Sequence, residues 1–362
     1  MLEGEFLGGT GMRLGLYGLP SAGKTYIEDK LKNIPVKKGS ILLNSLCSDF
    51  SNVSEKEKDR VRRKLASDLK NEESFLMDGH YAFGDKVVFT EQDGQLYDAI
   101  VYLYCKPGII QERMSYSDKN RVYLNHNIKE WQDMEIRCLR DYCHKNNMDF
   151  YVIDEWPAGM VTDIAPVIEF LEKIFEGYSP VKYAKDLARE IMAKTDSDTI
   201  SLIDGDRTLI EQDSSVVAFG YRTHIFDGNY YTGYQAFLQW KEFLKIGDIK
   251  GITDLSVSTN ERVLDRVEGY GFIISSGNPD IWSVLSKRYG MDHSAGYEIC
   301  AETKYYLTRF LKDAGRNVVG FGDSMSDLFM LKAADKGYLV RRNDGSLSRS
   351  LTHMDLGGLE YV

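Results

Sequence analysis

Residues 18–25 read Gly-Leu-Pro-Ser-Ala-Gly-Lys-Thr, directly after the apolar run Arg13–Tyr17 and directly before the amphipathic stretch Tyr26–Leu31. Few local patterns restrict a fold more, because G-x-x-x-x-G-K-[ST] works only when a strand delivers it and a helix carries it away. Gly18 and Gly23 let the backbone turn the N–H groups of the loop, those of Ser21 and Ala22 among them, toward one point, and the helix start adds partial positive charge. Lys24 is then placed to reach the β- and γ-phosphates of a nucleotide, and Thr25 to ligate Mg²⁺. The pattern predicts a parallel α/β sheet with an ATP or GTP site at its edge. It does not say whether the nucleotide drives phosphoryl transfer or a conformational switch.

Short apolar runs alternate with longer amphipathic stretches along the whole chain, the rhythm of parallel sheets wrapped by helices. Strands are predicted at Met12–Tyr17, Ser40–Asn44, Ser74–Met77, Ala99–Tyr104 and Phe150–Ile153. A second series follows at Thr199–Ile203, Gly271–Ser275, Asn317–Phe321 and Gly337–Val340. Between the series, predicted helices Pro166–Phe175 and Val181–Lys194 flank the turn-forming Gly177-Tyr178-Ser179-Pro180. The break divides the chain into an expected first domain, 1–178, and a second, 179–362, and 362 residues are more than one core usually holds.

Apolar residues make up 43% of the chain and charged residues 28%, a globular balance, and the formal charge is −10. That charge weakens nonspecific attraction to nucleic acid or anionic lipid. The five cysteines form no CxxC pair and no zinc-spaced cluster, which suits free thiols in a reducing cytosol. No apolar run reaches the length of a membrane span and no secretory leader is visible, so a cytoplasmic location is expected, with Met1–Thr10 as a loose lead-in.

Around the first motif, Asp78 ends the run Phe75-Leu76-Met77 and is expected to emerge beside the phosphate loop, able to hold Mg²⁺ or its water. Asp49, following the predicted strand Ile41–Leu43, is either a group that orients or deprotonates an acceptor hydroxyl or a helix cap. Past Cys105, Lys106-Pro107-Gly108 opens a helix carrying Arg113, with Arg121 on the next segment. From Met12 to Asp154 the chain resembles the adenylate-kinase-like P-loop kinases. The resemblance implies a mobile lid whose arginines, here Arg113 and Arg121, close over the transferring phosphoryl group.

In the second half, Ile200-Ser-Leu-Ile-Asp-Gly-Asp-Arg-Thr-Leu209 is an apolar run ending in Asp-x-Asp-x-Thr. Ser275 ends the run Gly271–Ile274, Lys304 precedes an amphipathic helix, and Gly320-Phe-Gly-Asp-Ser-Met-Ser-Asp327 closes the order. This set resembles the haloacid dehalogenase superfamily phosphatases. The resemblance implies that Asp204 is the nucleophile, that Asp206 is the general acid and base, and that Mg²⁺ is held by Asp204, the Asp206 carbonyl and Asp323. Ser275 would bind phosphoryl oxygens and Lys304 neutralise charge, with Ser276 or Lys287 as substitutes, while Asp327 either positions Lys304 or joins the metal shell. The long interval between Asp204 and Ser275 implies a small inserted cap, about residues 210–268. Its aromatic run Phe226–Tyr234 could line a substrate pocket or pack as core, and Arg207 and Asn278 stand as candidate substrate contacts or surface groups.

The expected fold class is therefore α/β: two Rossmann-like three-layer domains, a P-loop NTPase or kinase fold followed by a haloacid-dehalogenase-like fold with an inserted cap. The order resembles the bifunctional polynucleotide kinase-phosphatases. The acidic chain lacks a basic stretch interleaved with aromatics, so a small phosphorylated metabolite, a nucleotide or sugar phosphate, is the expected partner ahead of a nucleic-acid end. A nucleotide-sensing first domain that regulates the phosphatase is a third reading. The oligomeric state is left open.

Overall fold

The computed structural model describes residues 11–156, 164–220, 228–246 and 255–362. Two compact units emerge, Met1–Tyr178 and Ser179–Val362. In the first, strands β1 (Arg13–Tyr17), β2 (Val36–Lys37), β3 (Phe75–Asp78), β6 (Ala99–Cys105) and β7 (Asp149–Trp156) form a sheet ordered β2-β3-β1-β6-β7. All its pairings are parallel. A small antiparallel hairpin, β4 (Ala82–Phe83) with β5 (Lys86–Val87), stands beside it. Every residue of β6 is buried, the mark of a central strand covered on both faces. Helix Ile128–Asn146 covers one face with Ile128, Trp131, Gln132, Glu135, Ile136, Leu139 and Cys143, a spacing of three and four residues that puts them on one side.

The second unit is a parallel sheet ordered β10-β9-β8-β11-β12-β13, from β8 (Thr199–Ile203), β9 (Tyr270–Ser275), β10 (Asp292–Ala295), β11 (Asn317–Gly322), β12 (Lys336–Leu339) and β13 (Glu360–Tyr361). Strand alternation divides its core in two. Ile200, Leu202, Phe272, Ile274 and Val318 pack on one face with helices Pro180–Lys194 and Ala301–Asp313. Ile203, Ile273, Val319 and Phe321 pack on the other with helix Pro279–Tyr289. This is a three-layer α/β arrangement. Among the described residues, no helix is long and apolar enough to cross a membrane.

The predicted strands are present with small shifts at their ends, except one. Ser40–Asn44 lies inside a helix, Gly39–Leu46. Ile41 is exposed and Leu42 and Leu43 are only half-buried, so the run lacks the two-sided burial of an inner parallel strand. The edge strand is instead the short β2, just upstream. Strand β10, Asp-His-Ser-Ala, went unpredicted because an edge position needs no apolar run. Met1–Thr10, Phe226 and parts of the interval 210–268 lie outside the described residues. Between β8 and β9 the described helices include Ser214–Phe219, Gly233–Ile246 and Glu261–Leu264.

Candidate functional site

In the first unit, β1 runs straight into the glycine-rich loop. Gly18 and Gly23 adopt φ of 152° and 108°, values L side chains rarely take, and a Cβ on Gly18 would lie 2.8 Å from the Leu103 carbonyl oxygen. Ser21 adopts φ 68° without being glycine and is held there from two sides. Its hydroxyl accepts from Asn120 Nδ2 at 2.9 Å, and its carbonyl accepts from Arg113 Nη1 at 3.3 Å. Arg113 also donates to the Ala22 carbonyl at 3.3 Å, so this guanidinium braces the loop.

Lys24, the first residue of helix Lys24–Glu28, is buried and folds back on the loop, donating to Gly18 O at 2.5 Å and Leu19 O at 3.3 Å. Burial lowers its pKa to about 8 against the pull of Asp78, Glu135 and Glu28. Thr25 next to it is exposed. The register Leu16↔Asp78 brings Asp78 to the same sheet edge, where its Oδ1 accepts from Gly39 N at 2.8 Å. Asp49 and Arg121 stand apart from this group by their contacts. Asp49 sits in an exposed turn bonded to Asn52 at 2.8 Å, and Arg121 donates to the Ser115 carbonyl at 3.0 Å.

Two further groups belong to this site. His80 Nδ1 lies 3.4 Å from Lys24 Nζ. Burial, reinforced by Lys24 and Lys119, holds its pKa well below the usual histidine range, so the ring is neutral and accepts. Glu135 is fully buried and accepts from Ala82 N at 2.9 Å, Tyr102 Oη at 2.9 Å and Trp131 Nε1 at 3.0 Å. Burial raises its pKa to about 7. A glutamate on the apolar face of a helix was the available signal for Glu135, while His80 showed only as a neighbour of Asp78.

In the second unit, the pairs Ile203↔Phe321 and Ile203↔Ile273 align the C-terminal ends of β8, β11 and β9. Asp204, Asp323 and Ser275 therefore emerge at one edge, where a parallel sheet opens its crevice. Lys304, on helix Ala301–Asp313 and 0% exposed, donates to Asp204 Oδ1 and to Asp327 Oδ1 at 2.6 Å each. Asp327 Oδ2 accepts from Asp323 N at 3.2 Å, Ser324 N at 3.1 Å and Ser324 Oγ at 3.0 Å, so it ties the lysine to the loop after β11. One oxygen of each of Asp204, Asp323 and Asp327 lies within 4.8 Å of the others.

Burial and the neighbouring Asp327 raise Asp204 to about 6, although Lys304 opposes the shift. Asp323 is pushed well above the carboxylate range by burial, then by Asp327 and Asp204. Lys304 shows the balance from the other side: burial disfavours its charge, but the two aspartates outweigh burial and hold it above the ordinary lysine range. Asp206 Oδ1 accepts from Ser214 N at 2.8 Å, and burial followed by Asp213 raises its carboxyl to about 7. That value suits a group that both gives and takes a proton near neutrality.

Ser275 Oγ accepts from Gly277 N at 3.0 Å, and a Cβ on Gly277 would lie 3.0 Å from both Ser275 Oγ and Asp206 Oδ2. Ser275 and Asp206 thus face each other across a bare backbone. Asn278 caps helix Pro279–Tyr289, with Oδ1 accepting from Asp280 N at 2.9 Å. Arg207, at φ 59°, pairs with Asp213 at 3.4 Å. Of the aromatic run, Tyr231 and Tyr234 are buried and pack as core.

No protein-family model and no curated protein matches the chain. Among solved structures, the chain is similar to shikimate kinase from Bacteroides thetaiotaomicron, with 17% identity over 46% of this chain and 98% of that one and a TM-score of 0.31. It is similar to a HAD family hydrolase from Salmonella enterica serovar Typhi, with 15% identity over 44% of this chain and 70% of that one and a TM-score of 0.28. It is also similar to a chain of the Pnkp1/Rnl/Hen1 RNA repair complex, with 10% identity over 91% of this chain and 94% of that one and a TM-score of 0.25.

Proposed function

We propose that this chain is a bifunctional phosphoryl-transfer enzyme. Its second unit is a Mg²⁺-dependent phosphomonoesterase acting through an aspartyl-phosphate on Asp204, and its first unit is an ATP-dependent kinase, with GTP as the other candidate donor. The observation that carries the reading is the buried Lys304 between Asp204 and Asp327, at 2.6 Å from each, with Asp323 beside them. Three buried carboxylates share one buried lysine, with Arg207 a further positive charge acting on Asp323, and the donors are hard oxygens, so the residues suit Mg²⁺. Asp204, Asp323 and the Asp206 carbonyl would hold the ion, which when bound neutralises the phosphoryl oxygens.

Asp204 attacks phosphorus through the carboxylate oxygen not bonded to Lys304. The new P–O bond forms as the ester P–O bond breaks, and protonated Asp206 gives its proton to the departing oxygen. Asp206 then takes a proton from water, which attacks the acyl phosphate, releases phosphate and restores Asp204. Lys304 keeps Asp204 ionised, and Ser275 offers a hydroxyl to the phosphoryl oxygens. In the first unit, Lys24 and the loop N–H groups receive the nucleotide phosphates, with Thr25 and Asp78 as the Mg²⁺ ligands. Arg113 supports that loop.

The net charge of −10 favours a small phosphorylated metabolite, a nucleotide or sugar phosphate, over a nucleic-acid end. Hydrolysis of p-nitrophenyl phosphate with Mg²⁺, lost in Asp204→Asn, tests the chemistry, and its absence in the wild type sinks the phosphatase reading. A screen over nucleotides, sugar phosphates and 3′-phosphorylated oligonucleotides tests the substrate. Release only from oligonucleotides reverses the preference. Phosphorylation of an acceptor by ATP, lost in Lys24→Ala, tests the kinase. ATP binding without transfer to any acceptor favours a sensor instead.

A further inference from the structure

Within the phosphate loop the backbone of Ser21 is the strained point. Its φ of 68° lies in the left-handed region, which a serine enters only against the crowding of its own Cβ and the following carbonyl. Gly18 and Gly23, on either side, take positive φ without that penalty. A serine between them needs a hold from outside the loop, because a loop free to relax turns its N–H groups away from a common point.

The Ser21 carbonyl accepts from Arg113, on helix Pro107–Ser115, but the hydroxyl is held from a different segment. Asn120 Nδ2 donates to Ser21 Oγ at 2.9 Å, from 99 residues further along the chain. Asn120 is itself fixed in place. Its backbone N donates to Ser117 Oγ at 3.2 Å, the next N–H, that of Arg121, donates to the Ser117 carbonyl at 2.9 Å, and the Asn120 carbonyl accepts from Tyr123 N at 3.0 Å. The amide therefore stands on a closed turn. Since Ser21 Oγ accepts the Asn120 proton, its own hydroxyl proton is left to donate to an incoming phosphate oxygen. Arg121 takes no part in this hold, being turned to the Ser115 carbonyl at 3.0 Å.

We propose that Asn120 is a positioning residue for the nucleotide: it holds Ser21 in the left-handed conformation, so that the phosphate loop is shaped for an anion before one arrives. The inference rests on the reading of residues 18–25 as a nucleotide site and adds to it a residue outside the motif. Without the Asn120 amide the empty loop relaxes to conformations in which Ser21 has negative φ, and the apparent affinity falls with the fraction of molecules still competent to bind. The segment after helix Pro107–Ser115 then serves the nucleotide through an amide, where its arginine was the expected contributor.

Titration of the full chain with a fluorescent ATP analogue in Mg²⁺ measures the effect. Asn120→Ala should raise Kd about tenfold, the order of the left-handed preference of glycine over other residues. Two substitutions at Ser21 separate a held backbone from a lost contact. Both remove the hydroxyl, but Ser21→Ala keeps the Cβ and its strain while Ser21→Gly removes them. Ser21→Ala should therefore bind as weakly as Asn120→Ala, and Ser21→Gly at least about fivefold more tightly than Ser21→Ala. Adding Asn120→Ala to Ser21→Gly should change Kd by less than about twofold, because the glycine needs no hold. An unchanged Kd in Asn120→Ala overturns the inference. So does equal binding by Ser21→Ala and Ser21→Gly, or a full tenfold loss on adding Asn120→Ala to Ser21→Gly, which would put the amide on the nucleotide itself. If Asn120→Ala fails to fold, the comparison of Ser21→Ala with Ser21→Gly decides the matter alone. Lys24→Ala is titrated beside wild type: absence of Lys24-dependent binding marks failure of the nucleotide reading, while normal wild-type binding with an unchanged Asn120→Ala marks failure of this inference alone.

Discussion

Replacing Lys304 with methionine tests the second site at its most charged point. The side chain is fully buried and makes two contacts of 2.6 Å, so methionine fills similar volume and leaves Asp204 and Asp327 without their cation. Removing one member of a buried ion pair costs about 3–5 kcal/mol, because the remaining charge stays buried and unpaired. For a unit of this size each kcal/mol moves the melting temperature by roughly 2–4 °C, so the metal-free variant should melt about 6–20 °C below wild type at pH 7.5. The pH dependence gives a second handle. Lys304 has a raised folded pKa, so its stabilisation is fully present below the unfolded lysine value and survives through neutrality. Asp204 also has a raised folded pKa, about 6, so burying it costs stability as pH rises toward and through that value. In the variant that cost grows, and protonation relieves it. The gap between variant and wild type should be widest above pH ~6 and narrow on acidification. Thermal melts in EDTA from pH 5 to 8 measure both. A variant within about 2 °C of wild type at pH 7.5 refutes the claim that Lys304 is the counter-ion of a buried carboxylate cluster.

Glu135→Ala strands three donors, Ala82 N, Tyr102 Oη and Trp131 Nε1. At about 1–3 kcal/mol for each unsatisfied buried group, it should destabilise the first unit by at least ~3 kcal/mol in urea unfolding, and a smaller loss would mean that water replaces the carboxylate. His80 has a folded pKa well below its unfolded value, so the first unit should keep this contribution above pH ~6.5 and lose it as pH falls below, with a shallower slope of melting temperature against pH in His80→Asn. Equal slopes would show that His80 is not held neutral in the folded state. Gly205→Ala places a methyl 2.2 Å from the Trp282 ring, and an overpacked position of this kind costs about 1–3 kcal/mol, readable in the melt together with a drop in phosphatase turnover. Chelation with EDTA should abolish phosphatase turnover but leave nucleotide binding measurable by fluorescent-analogue titration, because Lys24 supplies its own positive charge in the first unit.

What the sequence made legible follows from how each residue does its work. Asp204, Ser275 and Asp323 end strands, and strand ends in a parallel sheet share an edge, so a motif read along the chain translates directly into a place in space. Lys304 was legible as a candidate but its two partners were not separable, since helix spacing gives a face without giving contacts. Asp49 depended on a strand that is a helix, and the turn after that helix points it into solvent. Glu135 and His80 were missed for one shared reason. Each acts through tertiary neighbours far away in sequence, and the one signal present, a glutamate on the apolar face of a helix, names no partner.

The two edges also solve opposite electrostatic problems. In the first unit a lysine lies against the carbonyls of Gly18 and Leu19, beside a neutral histidine, so an incoming phosphate meets a cation that gives up only weak partners. In the second unit a phosphate meets four aspartates, with Lys304 already committed to two of them. On the proposed reading the first site offers an anion the charge of Lys24, whereas the second offers Arg207 and a Lys304 already held by two aspartates, so a cation from outside the chain would have to make up the difference. Burial is the largest cause of the raised pKa values of Asp204, Asp206 and Asp323 and the neighbouring carboxylates add to it, so a cation bound beside them would favour the ionised forms that burial opposes.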